Sequence, residues 1–253
     1  QAGIQMIDLG AAIKAKIKNE ADGTSFVHLR SLMSEYLKYS SGTAAYSFLD
    51  RTVIRASERM KLPDRRVSLL ASFTIDPLIP FLRVHLFLHG YSAQFQVIGY
   101  QQWPGELAQK SSIDIFAPTD VLMFLHSDDA LPCLAKSFLS SSSEMRSGEA
   151  ESLLAVMRQS VLAFRSRSEA QIFISTLPLL VNGPERYLAA STNRGRLQEL
   201  ADFNVRISTE FSKLSGVYIY PYDELVQDAG RSGFFDQVKN NLNQTAISSN
   251  GYP

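Results

Sequence analysis

The sequence predicts an α/β fold built on a parallel sheet. Two observations carry this expectation: short, nearly continuous apolar runs recur after residue 65, and longer stretches with helical periodicity alternate with them. Strands that alternate with helices need crossover connections, which bring each strand back in the same direction. Apolar runs without polar alternation are those of strands covered on both faces.

The elements follow in order. Residues 1–62 read as an α-helical N-terminal extension. Ile4, Met6, Ile7, Leu9, Ile13 and Ile17 outline one amphipathic helix, broken near Asp22-Gly23-Thr24. A second runs from Val27 to Tyr39, and a third from Ala44 to Met60, stopping before Leu62-Pro63-Asp64. The α/β domain then spans 63–253. Its first strand is Arg66 to Ser72, after which Asp76-Pro77 opens an amphipathic helix with Gly90 past its end. Gln94 to Tyr100 is the second strand and Thr119 to Leu125 the third. Between them, Trp103-Pro104-Gly105 reads as a turn, with the indole on the sheet edge or stacked on a substrate. Ser140 to Ser147 is polar and Ser-rich, a loop or helix boundary, and a helix follows from Glu149 to Arg165. The strand Gln171 to Thr176 ends at Leu177-Pro178, and residues 183–193 form an excursion. A helix from Gly195 to Leu214 and the strand Gly216 to Tyr220 complete the pattern, trailed by Asp223 and a short helix. The start at Gln1 and the end at Asn250-Gly251-Tyr252-Pro253 read as those of a piece, with a further C-terminal domain expected after it.

Composition narrows the function classes. The chain has 253 residues, 45% of them hydrophobic, enough to bury a sizeable core. Lys+Arg and Asp+Glu are each 25, so a formal net charge of zero gives no electrostatic basis for a general nucleic-acid binder or a polybasic membrane protein. With Cys133 as the single cysteine there is no intrachain disulfide and no Cys-rich metal site, which fits a reducing, cytoplasmic setting. No 18-residue apolar run argues for membrane insertion, and no motif implies a cofactor.

In open parallel sheets, ligands bind beyond the carboxyl ends of the strands, so the strand-to-helix turns hold the candidates. The first turn carries Ser72, Thr74 and Asp76 at a helix start, where backbone N–H groups favour developing negative charge. Thr74 or Asp76 as a helix cap is the competing reading. His126, close to Asp128 and Asp129, follows the third strand as a base, an anion ligand or a satisfied turn residue. His85 and His89 share a helix face, but no third metal ligand accompanies them.

The order of these pieces resembles the N-terminal domain of FkbH-type proteins. The resemblance rests on Leu69 to Leu78, Leu82-Arg83-Val84, Gly90, Tyr100-Gln101-Gln102, Glu106-Leu107, Ser111-Ser112 and Pro118 to Leu122. It continues through Asp128 to Leu131, Ser175 to Pro178, Asn204 and Phe234-Phe235-Asp236. It implies a flavodoxin-like, SGNH-hydrolase-like three-layer fold and the handling of an acyl group, or of an acyl-carrier protein, beside a HAD-type domain. That phosphate-handling domain uses Asp-x-Asp, and this chain has none. By the same resemblance, Thr74 matches the nucleophile, Ser72 is the second choice and Asp236 is the triad acid. Asp76, Tyr100, Gln101, His126 and Asp128 would line the substrate. The chain departs from the hydrolase pattern in three places. Gly-Asp-Ser is missing from the first turn, Asp128 stands near the oxyanion-hole Asn, and no histidine follows Asp236. A non-catalytic docking domain and a free-standing esterase with His126 as base are therefore the two alternatives to acyl transfer.

Overall fold

The computed structural model describes residues 2–19, 23–40, 42–99, 101–178, 195–235 and 247–248. The chain divides into two compact units, one of residues 1–65, 75–95 and 247–253, the other of residues 66–74 and 96–246.

The first unit is helical. Its helices are α1 (Ala2–Asn19), α2 (Gly23–Tyr39), α3 (Thr43–Ser57) and, after a one-turn 3-10 helix at Asp76–Leu78, α4 (Ile79–Leu88). Leu49, Val53, Ala56 and Met60 recur at helical spacing and are buried with Ile13, Leu29 and Met33. Phe81, Val84 and Phe87 of α4 join the same cluster, so the helix after the first strand completes an all-helical core. Each fully buried side chain of this size contributes about 1.5–3 kcal/mol. Arg83 is paired with Asp50 at 2.5 Å, which ties α4 to α3. Gly90, at φ +89°, ends α4 in a left-handed conformation that a side chain would strain. Among the described residues no helix is long and apolar enough to cross a membrane.

The sheet has five strands: β1 (Asp64–Ala71), β2 (Ser92–Ile98), β3 (Asp120–Phe124), β4 (Gln171–Ser175) and β5 (Val217–Tyr220). Their order is β2-β1-β3-β4-β5, the flavodoxin-like arrangement. The registers of β1 with β3, β3 with β4 and β4 with β5 are parallel. The predicted α/β class with a parallel sheet is the observed one, and each strand lies within two residues of its expected limits.

Helices α5 (Trp103–Ala108), α9 (Ser143–Arg165) and α10 (Arg196–Phe211) cover one face of the sheet. Alternation along the strands directs Leu70, Val121, Met123, Ile172, Ile174 and Val217 into that core, against Leu107, Met157, Val161, Phe203 and Ile207. The described residues of the unit also form shorter helices: α6 (Ser112–Phe116), α7 (Ser127–Ala130), α8 (Pro132–Ala135), α11 (Tyr222–Ala229) and α12 (Arg231–Phe234).

Two sequence expectations are corrected. Helix α9 begins at Ser143 rather than Glu149, so the boundary falls within the Ser-rich stretch, because the Ser142 side chain accepts a hydrogen bond from the N–H of Met145 and caps it. Trp103 opens α5 with Pro104 in its first turn, rather than forming a turn, and its indole is buried in the sheet core with Ile98 and Ile113.

Candidate functional site

Parallel pairing sets Ala71 beside Phe124 and Ser175 beside Tyr220, so the chain leaves β1, β3, β4 and β5 along one edge. Ser72, Leu125, Thr176 and Tyr220 stand there as the topology requires. Two polar clusters occupy this edge.

The first joins β1 and β3. Ser72 is buried, its N–H donates to the Phe124 carbonyl at 3.1 Å, and its Oγ accepts the backbone N–H of His126 at 2.8 Å. One acceptor site of the hydroxyl is thus taken by main chain. His126 is only 1% exposed, with Phe73 stacked on it at 4.0 Å, Tyr222 parallel at 6.1 Å and Phe235 edge-on at 5.5 Å. Its Nε2 lies 3.4 Å from the Tyr222 hydroxyl, while Nδ1 has no partner. Burial pushes the imidazole down to about 3, so the ring is neutral at physiological pH. A base that weak does not take a hydroxyl proton near pH 7, and neither ring nitrogen is bonded to Ser72.

The second cluster joins β4 and β5. Thr176 Oγ1 and Asp223 Oδ1 are 2.5 Å apart, and the Asp223 N–H donates back to Thr176 Oγ1 at 3.1 Å. Asn204, from α10, accepts the Leu177 N–H at 2.9 Å and donates to the Leu177 carbonyl at 3.0 Å and to Asp223 Oδ2 at 3.2 Å. Ser127 donates to the Pro178 carbonyl at 2.8 Å. The exit of β4 is therefore held almost entirely by side chains, which replace the ladder partners the backbone has lost.

The other predicted site residues divide. Thr74 follows Phe73 and is half-buried. Neither it nor Asp76 caps a helix: Ile75 and Leu78 hold the cap positions and no side chain bonds there. Asp76 is exposed and belongs to the helical unit. Gln101 is exposed just past β2 with φ +57°, an uncommon conformation for a residue with a side chain. Asp128 lies in the first turn of α7; burial pushes its carboxyl up, and Lys136 and Arg196 pull it partly back. Tyr100 and Asp236 lie outside the described residues.

His85 binds the Tyr46 hydroxyl at 2.9 Å and His89 is the C-cap of α4. Among the described residues no three His, Cys, Asp or Glu are grouped to hold a metal ion.

Sequence reasoning passed over Tyr222 and Asp223 as site residues and quoted Asn204 without a role. The signals were present. Tyr222 and Asp223 follow β5 at the same edge as the other candidates. Asn204 interrupts the buried stripe of Leu200, Phe203, Ile207 and Phe211, and a buried amide needs partners.

No family model and no curated protein matches the chain. Among solved structures, it is similar to the N-terminal part of a Bacteroides fragilis protein, a crystal structure containing a phosphatase domain complexed with Mg. The TM-score is 0.66 at 15% identity, over 81% of this chain and 52% of that one. The chain therefore spans about half the length of that solved chain. At this identity the likeness establishes the α/β fold.

Proposed function

We propose that this chain is the acyl-binding, non-hydrolytic α/β module of an FkbH-like protein. It holds an acyl group, or the arm of an acyl-carrier protein, at the carboxyl edge of its sheet, beside a HAD-type domain. The observation that carries the reading is the state of Ser72, the second-choice nucleophile, and of His126, the base that the esterase alternative needs. The Ser72 hydroxyl accepts a main-chain N–H, and the His126 imidazole is buried, neutral and bonded only to Tyr222. Without an imidazole in reach, a hydroxyl remains a poor nucleophile at neutral pH. The docking alternative is thus favoured over the esterase.

Thr74, beside Phe73 in the first turn, contacts the ligand in this reading, and Gln101 and Asp128 border it. The Bacteroides fragilis protein contains a phosphatase domain complexed with Mg, which supports a HAD-type neighbour for this module. In this reading the partner domain holds the metal: this chain lacks Asp-x-Asp, and among its described residues no three His, Cys, Asp or Glu are grouped to bind one. Phosphate chemistry falls to the partner domain.

The test is a calorimetric titration of acyl-carrier protein, carrying its phosphopantetheine arm and a short acyl group, into the chain. Saturable binding weakened by Thr74→Ala, with circular dichroism unchanged, is expected. An unaltered affinity removes Thr74 from the site, and absence of binding overturns the reading.

A further inference from the structure

The ring of His126 sits in a box that suits a phenylalanine better. Phe73 stacks on it at 4.0 Å, Tyr222 lies parallel to it at 6.1 Å and Phe235 stands perpendicular to it at 5.5 Å. A polar ring with an unpaired buried nitrogen destabilises such a box, because Nδ1 loses its water and gains nothing in exchange. Sites where local packing rules are broken at a ligand-binding edge are where function accounts for the loss.

Ser72 is the second half of the feature. Its Oγ lies 2.8 Å from the backbone nitrogen of His126, at the root of that imidazole, and both residues are buried. With the Tyr222 hydroxyl, 3.4 Å away, as donor, Nε2 is the acceptor of the pair. Nδ1 then carries the proton, and since burial keeps the ring neutral, it is a donor without a positive charge. A neutral donor suits a carbonyl oxygen.

We propose that Ser72 and His126 form a buried subsite that takes the carbonyl oxygen of a bound acyl group, with Phe73 as its cover. The ligand class rests on the acyl reading above. The subsite itself rests on the unpaired nitrogen.

The experiment uses two probes of equal chain length, S-butyryl-N-acetylcysteamine and the thioether S-butyl-N-acetylcysteamine, which lacks the carbonyl oxygen. The wild-type chain binds the thioester about tenfold more tightly or better, the discrimination expected when a buried donor loses its acceptor. His126→Phe binds both alike, and with the orphan nitrogen gone it melts about 2–4 °C higher. Ser72→Ala, which keeps the ring, loses part of the preference. Any preference for the thioester in His126→Phe, an undiminished preference in Ser72→Ala, or a lower melting temperature for His126→Phe overturns the subsite and leaves the acyl reading standing. If neither probe binds the wild type, the acyl reading falls and takes the ligand class with it.

Discussion

The backbone N–H of His126 donates to Ser72 Oγ at 2.8 Å and so joins the exits of β3 and β1. One hydroxyl, which the sequence offers as a nucleophile, is used to seat a buried histidine. Ser72→Ala leaves that N–H without an acceptor in a dry site and is expected to lower stability by about 1–3 kcal/mol in urea unfolding.

His126 makes stability depend on pH. Its value is about 3 in the folded chain against 6.5 for the free side chain, so between these limits the unfolded chain binds the extra proton. Stability therefore falls as pH drops below 6.5, with a slope approaching about 1.4 kcal/mol per pH unit. Asp128 acts in the opposite sense, since its raised carboxyl contributes stability that is lost as pH rises through the folded value. Urea midpoints for wild type and His126→Gln between about pH 7 and pH 4.5 isolate the histidine, and the variant shows the shallower fall.

Asn204 replaces a missing strand at the exit of β4, where it serves both main-chain groups of Leu177. Asn204→Ala strands two buried backbone groups and opens a gap beside Asp223. A loss of about 2–4 kcal/mol is expected, read by thermal or urea unfolding.

Arg167 closes the turn between α5 and α6. Its guanidinium pairs with Asp114 at 2.7 Å and donates to the carbonyls of Leu107, Ala163 and Gln109 at 2.7–2.8 Å. Arg167→Met keeps much of the stem but leaves these acceptors and the Asp114 carboxylate without the cation. It should cost about 2–4 kcal/mol, with ligand binding at the carboxyl edge unchanged.

The inner strands were legible as short apolar runs bounded by turn residues, as the buried Leu69, Leu70 and Ala71 show. Helix limits were less so: Ser142 as a cap looks like any other serine in a Ser-rich stretch. The strand-end rule pointed to Ser72 and His126, since topology alone sends the ends of β1 and β3 to one edge. It did not reveal that His126 turns inward, because a ring's direction depends on Phe73 and Tyr222, which are 53 and 96 positions away in sequence. Asp223 and Asn204 act through a shared bond that exists only once β5 and α10 are packed.

Hydrolysis of p-nitrophenyl butyrate by the whole chain is the most direct test of a module that binds acyl groups without cleaving them. The account predicts a rate equal to the buffer blank at neutral pH, the same for wild type, Ser72→Ala and Thr74→Ala. Turnover above the blank that disappears in Thr74→Ala or Ser72→Ala would contradict it.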